Sequence, residues 1–284
     1  MASTVAAARA CIPALVLNAA IPGEGYIVVK GIAYGSGPRQ RLDIYTPLEV
    51  SNSAPVLVFF YGGSWKRGKR GYYRFIGEAF ASRGYMVVVP DYRLYPSVRF
   101  PGFVEDGARV LKWVEQNASR YGGDGRRVML SGHSAGAHLA AMLLFDKRYL
   151  GVFDFNHNQI LGFIGLAGPY AFNPLAYKPT RSVFSTIQDP DQARPIAFVD
   201  GSEPPLLLMH GGSDDTVEMV NAQMLAARAR EAGGEAQLIE YMQRSHIGLI
   251  LSIAAPFRGR DPVYADMLAF MDRLSVRSTQ AEAS

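Results

Sequence analysis

Hydrophobic residues along the chain fall into two alternating patterns. Short apolar runs at Pro55–Phe60, Tyr85–Val89, Arg127–Leu130, Ile160–Leu166, Pro205–Met209 and Ala236–Tyr241 are rich in Val, Ile, Leu or Phe. Runs of this length and composition suit strands covered on both faces. Between them, Phe103–Tyr121, Ala135–Phe145, Val217–Ala232 and Pro262–Leu274 carry apolar residues at helical spacing. Strand alternating with helix predicts a mostly parallel sheet with helical crossovers. Upstream, Tyr26–Tyr34 and Arg41–Tyr45 flank the turn Gly35–Pro38, a hairpin signature that gives the sheet an antiparallel start.

The pattern shows no repeat, no low-complexity tract and no long linker. It predicts one domain over residues 25–276, after an N-terminal helical or irregular extension (1–24) and before a flexible tail (277–284). Residues 168–203 break the rhythm with Pro169, Pro174, Pro179, Pro190 and Pro195. A long irregular insertion between two core strands reads as a small lid or pocket wall.

Composition narrows the function classes. The chain has 284 residues, 49% of them hydrophobic, which is enough for a large core. Its net charge is +4, but the basic residues form scattered groups, Lys66, Arg67, Lys69, Arg70 and then Arg126, Arg127. There is no interleaved aromatic pattern or reading helix, so nucleic acid is not expected as a partner. The first basic group follows a candidate catalytic loop, where it would attract anionic substrates weakly. Cys11 is the only cysteine, which excludes an internal disulfide and a cysteine-rich metal site and favours a reducing, cytoplasmic setting. The longest apolar stretch, Ile247–Phe257, is about half of the ~20 residues a membrane span requires.

Chemistry concentrates at Gly132-His133-Ser134-Ala135-Gly136, a GxSxG pentapeptide entered from a strand and left through a helix. Small residues on both sides allow the strained strand-to-helix bend that exposes a nucleophilic hydroxyl. The helix that follows aims its positive end at Ser134, and the Ala135 N–H is placed to meet an oxyanion. Serine needs an imidazole to take its proton and an acid to orient that imidazole. Of the five histidines, His133 adjoins the serine and is expected to point away from the bend. His138 lies further along the same helix, His157 sits in a polar loop and His210 ends a strand. That leaves His246, after the last strand, as the base. The acid belongs at the end of the preceding strand, in His210-Gly211-Gly212-Ser213-Asp214-Asp215-Thr216-Val217. Asp214 or Asp215 meets this requirement; we assign Asp214 to the triad and Asp215 or Thr216 to capping the next helix. Tyr61-Gly62-Gly63-Ser64-Trp65 leaves the first buried strand and is expected to supply oxyanion donors from Gly63 and Ser64 beside Ala135. Tyr61, Trp65, Tyr95, Phe100, Tyr170 and Ile247 are candidate pocket walls, or equally core residues.

Together these motifs resemble the α/β-hydrolase fold, and within it the serine carboxylesterases of the hormone-sensitive-lipase-like group and their arylformamidase relatives. The resemblance spans about Gly25–Leu274. Leu42-Asp43-Ile44-Tyr45 and Pro90-Asp91-Tyr92-Arg93-Leu94, with Phe100-Pro101 following, add to the elbow, the YGGSW loop, the acid loop and His246. Tyr61 stands where the family's loop usually has histidine. The resemblance implies an eight-stranded sheet with helices on both faces, a minimal lid, Asp214 as the acid, and Asp91 and Arg93 in half-buried polar contacts. It implies hydrolysis of small soluble carboxylic esters through an acyl-enzyme; the base and oxyanion donors supply the main catalytic effects, so no metal or cofactor is expected, and a homodimer is left open. Two alternatives stand beside this: arylformamidase chemistry with the same triad, and a non-catalytic ligand-binding protein that keeps the sheet.

Overall fold

In the computed structural model, residues 17–49, 53–260 and 262–282 are described. The expected N-terminal helix falls mostly outside them. The strands are β1 (Tyr26–Ala33), β2 (Arg41–Pro47), β3 (Ala54–Phe60), β4 (Met86–Pro90), β5 (Gly123–His133), β6 (Ile160–Leu166), β7 (Leu206–Gly211) and β8 (Ala236–Tyr241). They form one sheet in the order β1-β2-β4-β3-β5-β6-β7-β8. β2 runs antiparallel to β1 and β4, and every later pairing is parallel. This is the sheet the apolar runs predict, including its antiparallel start.

Helices α1 (Arg74–Ala81), α2 (Gly102–Asn117), α3 (Ala135–Phe145), α4 (Arg148–Gly151), α5 (Val220–Glu231), α6 (His246–Leu251) and α7 (Val263–Glu282) surround it. Strand interiors such as Val56–Phe60 and Met86–Val89 are wholly buried, as the uninterrupted apolar runs require. α3 is buried along its entire length, consistent with its composition of Ala, Leu, Met and Phe on all sides.

Two expectations are corrected. Residues 277–282, expected as a flexible tail, continue α7 to Glu282. Arg127 secures that helix by donating to the Ser275 carbonyl at 3.0 Å and the Ser278 hydroxyl at 3.0 Å. β5 begins at Gly123, four residues before the expected start. A register irregularity opposite Pro55 and Val56 accommodates the glycine-rich, charged stretch that precedes the apolar run.

Residues 168–203 contain only short 3-10 turns, at Pro190–Ala193 and Pro195–Phe198. They are fastened to the domain by individual bonds. Phe100 N–H donates to the Val183 carbonyl at 3.0 Å, Ala171 N–H to Asn221 Oδ1 at 3.0 Å, and Lys66 Nζ to the Pro179 carbonyl at 2.6 Å. We call this segment the cap. Among the described residues, no helix is long and apolar enough to cross a membrane.

Candidate active site

Every candidate catalytic residue lies at the carboxyl end of a parallel strand, where open α/β sheets bind ligands. Ser134 follows β5, Asp214 follows β7, His246 begins α6 after β8, and Gly62–Trp65 follow β3.

Ser134 has φ 56° and ψ −124°, a conformation that costs a non-glycine residue about 1–3 kcal/mol. The surroundings hold it there. Its N–H donates to the Leu166 carbonyl on β6 at 2.9 Å, and its own carbonyl accepts the His138 N–H at 3.1 Å. A Cβ at Gly136 would run into the Phe60 and Tyr61 backbone carbonyls, so α3 can approach β3 only with glycine there. Gly62 is equally close from the other side: a Cβ on it would lie 3.0 Å from Ser134 Cβ. The candidate oxyanion loop is therefore packed against the Ser134 bend backbone to backbone.

The acid loop distinguishes its two aspartates. Asp214 Oδ2 accepts a hydrogen bond from His246 Nδ1 at 2.7 Å, and its side chain is fully buried. Its Oδ1 accepts from the Thr216 and Val217 N–H groups, both at 2.9 Å. Asp215 is exposed and, among the described residues, accepts only from the Thr216 hydroxyl at 3.1 Å. The helix that follows, α5, has no side-chain cap, so neither Asp215 nor Thr216 does the capping expected of them. Asp214 orders the loop itself. Burial tends to raise its pKa, but hydrogen bonds from His210, His246, Val217 and Thr216 outweigh burial and hold it far below the usual carboxylate range. A carboxylate fixed in its charged form is suited to orienting an imidazole.

His246 is 5% exposed and occupies the first turn of α6, whose N-cap Ser245 accepts the Gly248 N–H at 3.2 Å. With Nδ1 committed to Asp214, Nε2 is the nitrogen left for proton transfer. Two histidines beside it were not foreseen. His133, expected to point away, turns toward the site: its ring lies 4.6 Å from that of His246, and its Nε2–H donates to the His246 carbonyl at 3.0 Å. The bond reverses the expectation because it satisfies a buried imidazole, and it ties the elbow to the histidine loop. Burial, then the neighbouring His246, lowers the His133 pKa to about 3, so the ring is neutral. His210 Nε2–H donates to the Val217 carbonyl at 2.9 Å and lies 3.4 Å from Asp214 Oδ2. An HG pair directly after a buried strand was the only sequence signal for it.

The oxyanion loop is bent sharply, with φ of 132°, 54° and 58° at Gly63, Ser64 and Trp65. The Gly63 carbonyl accepts the Lys66 and Arg67 N–H groups at 3.1 Å, closing the turn. Tyr61 braces it from beneath. Its hydroxyl donates to Asp91 Oδ1 at 2.7 Å and accepts from Arg39 Nη2 at 2.7 Å, while its ring stacks on Tyr92 and Tyr73. Arg70 anchors the same carboxylate through its side chain and through its backbone N–H at 2.8 Å, and reaches Asp43 at 2.7 Å. Asp106 pairs with Arg93 at 2.8 Å, so the DYRL residues are bracing elements, as the resemblance implies. Burial, then the neighbouring Tyr92 and Asp91, pushes the Tyr61 pKa far up and keeps its phenol protonated.

The candidate pocket walls divide. Tyr61 and Tyr170 are entirely buried, so they support the site from within and form no open wall. Phe100 and Trp65 are buried in an aromatic cluster: Trp65 stacks on Phe103 and Phe172 and meets His138 and Phe184 edge-on. His138 bonds the Ala193 carbonyl at 2.8 Å, fastening α3 to the cap. Tyr95 is half-buried, and Ile247 is 56% exposed beside His246. Among the described residues there is no group of three or more His, Cys, Asp or Glu that could hold a metal ion.

Comparison with known proteins places this geometry. The isoprenylcysteine alpha-carbonyl methylesterase ICME of Arabidopsis thaliana is 30% identical over 264 residues, covering 85% of this chain and 61% of the relative. Esterase LipQ of Mycobacterium tuberculosis is 28% identical over 261 residues, covering 81% and 58%. The chain thus spans about three fifths of the length of these curated relatives. Among solved structures, inhibited esterase B from Lactobacillus rhamnosis superposes with a TM-score of 0.84 at 22% identity, covering 99% of this chain and 98% of the other. That likeness establishes the α/β-hydrolase fold. The BD-FAE family model matches residues 42–228, from β2 through the elbow and the acid loop, and the chain belongs to the BD-FAE family.

Proposed function

We propose that the protein is a serine carboxylesterase acting on small carboxylic esters, with Ser134 as nucleophile, His246 as base and Asp214 as the orienting acid. The observation that carries this reading is the 2.7 Å bond between His246 Nδ1 and a fully buried, charged Asp214, at the edge of the sheet where strained Ser134 emerges. His246 Nε2 takes the Ser134 proton as Oγ attacks the ester carbonyl. Backbone N–H groups of Ala135 and of the Gly63–Ser64 turn stabilise the oxyanion, each worth about 3 kcal/mol in comparable sites. Collapse of the tetrahedral species releases the alcohol, which leaves with the proton from His246. Water, deprotonated by the same imidazole, then attacks the acyl carbon; the bond to Ser134 Oγ breaks, Oγ takes the proton back from His246, and the acid is freed. The relatives named methylesterase and esterase support the ester class.

The test is turnover of 4-nitrophenyl acetate by the wild type and Ser134→Ala, with labelling by a fluorophosphonate probe. Wild type is expected to turn over and to label, and Ser134→Ala to do neither while retaining its thermal unfolding midpoint. Undiminished turnover by Ser134→Ala overturns the assignment.

A further inference from the structure

The segments around the oxyanion loop share a charge pattern that ester cleavage itself does not use. Residues 61–73, 92–104 and 167–188 contain Lys66, Arg67, Lys69, Arg70, Arg93, Arg99, Lys178 and Arg181, and no aspartate or glutamate. Arg70 is neutralised by Asp43 and Asp91, and Arg93 by Asp106. Lys66, Arg67, Lys69, Arg99, Lys178 and Arg181 are exposed, and among the described residues none of them has a carboxylate within ion-pair distance. Without these six cations the other 23 basic and 25 acidic residues of the chain would sum to −2, so these side chains account for its net +4.

Three of these cations, Lys66, Arg99 and Arg181, are also held in place. Lys66 Nζ donates to the Pro179 carbonyl at 2.6 Å, Arg99 Nε to the Ser182 carbonyl at 3.2 Å, and Arg181 Nε to the Leu175 carbonyl at 2.9 Å. Lys66 and Arg99 both face the Tyr95 ring, each 5.5 Å from its centroid. Bonding to neutral carbonyls and a ring orders these side chains without cancelling their charge. The cluster begins within one turn of Gly63, whose carbonyl receives the Lys66 and Arg67 N–H groups. The opposite loop, which carries Asp214, exposes Asp215 and Glu218 instead. The two sides of the site therefore differ in sign.

We propose that this ordered basic rim is a subsite for a negatively charged part of the substrate, so that the preferred esters are anionic. The inference rests on the esterase reading above and adds the substrate class to it. Each cation within about 4–8 Å of the substrate charge, in the dielectric of water, changes the rate by roughly two- to fivefold, and salt screens the effect.

Two matched ester series provide the test: acetates of 4-hydroxybenzoate and 4-hydroxybenzamide, which place the charge on the leaving group, and 4-nitrophenyl esters of terephthalate and terephthalamate, which place it on the acyl group. The measured quantity is the ratio of kcat/KM for the anionic ester to that for its neutral amide twin, which cancels any general loss of activity. In at least one series the ratio is expected to fall about threefold or more between low salt and roughly 0.5 M salt. It is expected to fall similarly in Lys66→Gln/Arg99→Gln, and independently in Lys178→Gln/Arg181→Gln, which leaves the oxyanion loop untouched. Arg120→Gln/Arg126→Gln, at the opposite end of β5, removes the same charge far from the site and is expected to leave the ratio alone. A ratio insensitive to salt and to both rim variants in both series overturns the proposal, as does an equal response to the remote pair. Failure to hydrolyse the neutral esters at all would instead overturn the esterase reading.

Discussion

Tyr61→Phe isolates one hydroxyl on which the shape of the oxyanion loop depends. The ring keeps its stacking on Tyr73 and Tyr92, with centroids 5.3 and 4.8 Å away, so the change removes polarity and little else. Asp91 loses a 2.7 Å donor and Arg39 loses a 2.7 Å acceptor. A hydrogen bond to a buried charged group contributes about 1.5–3 kcal/mol. Asp91 retains Arg70, and Arg39, already 3.5 Å away, closes in, so the lower half of that range applies, about 2 kcal/mol. For a domain of this size that is a fall in Tm of roughly 4–8 °C. The loop above then loses its fixed height against Ser134. If a third to a half of one oxyanion donor's ~3 kcal/mol is lost, kcat falls about 5- to 13-fold. KM for a small neutral ester is expected to change little, because the donors bind the transition state more strongly than the ground state. Steady-state kinetics on 4-nitrophenyl acetate and a thermal melt read both quantities. A kcat within about twofold of wild type together with a Tm within about 1 °C would show that the phenol does not set the loop, and the bracing argument would fail.

Asp214→Asn is expected to lower kcat by about 10⁴ through the wrong histidine tautomer, whereas Asp215→Asn stays within a few fold, since only Asp214 meets His246. Equal losses in the two variants would contradict the assignment. Acid stability follows from two buried imidazoles. Burial, then His246, holds His133 down to about 3, and burial holds His138 down to about 4, while the unfolded chain protonates both near 6.5. The unfolded state thus binds more protons between those values, and stability falls as pH drops from 7 to 5, by about 2 kcal/mol for each ring. Urea unfolding at the two pH values measures the slope; His138→Gln is expected to flatten it by about half, and an unchanged slope would remove His138 from the account.

Local chemistry explains which features were legible in sequence. Strands covered on both faces declare themselves as unbroken apolar runs, and the elbow declares itself because glycine at 136 is a steric requirement against the Phe60 carbonyl. Asp214 and His246 stand out as candidates because an acid and a base serving an elbow serine belong at predictable strand ends, and the structure pairs the two at 2.7 Å. The bracing was not. Tyr61, Asp91, Arg39 and Arg70 are drawn from four separate segments, and nothing local indicates that one carboxylate collects them. His133 was misjudged for a similar reason: its direction is decided by a backbone carbonyl 113 positions away. α7 outran its expected end because Ser275 and Ser278 suggest a weak helix, while the bonds from Arg127 that sustain it come from the far side of the chain.

The fastening of Trp65 and Lys66 to Phe172, Phe184 and Pro179 has a consequence for how this protein can diverge. A scaffold whose insertion floats above the reaction centre can trade one specificity for another by replacing that insertion alone. In this chain the same two residues continue directly from the Gly63–Ser64 turn proposed to receive the developing negative charge. Redrawing the insertion to admit a new ester therefore shifts turnover as well as selectivity, and gains in scope should arrive together with compensating changes between Gly63 and Arg67.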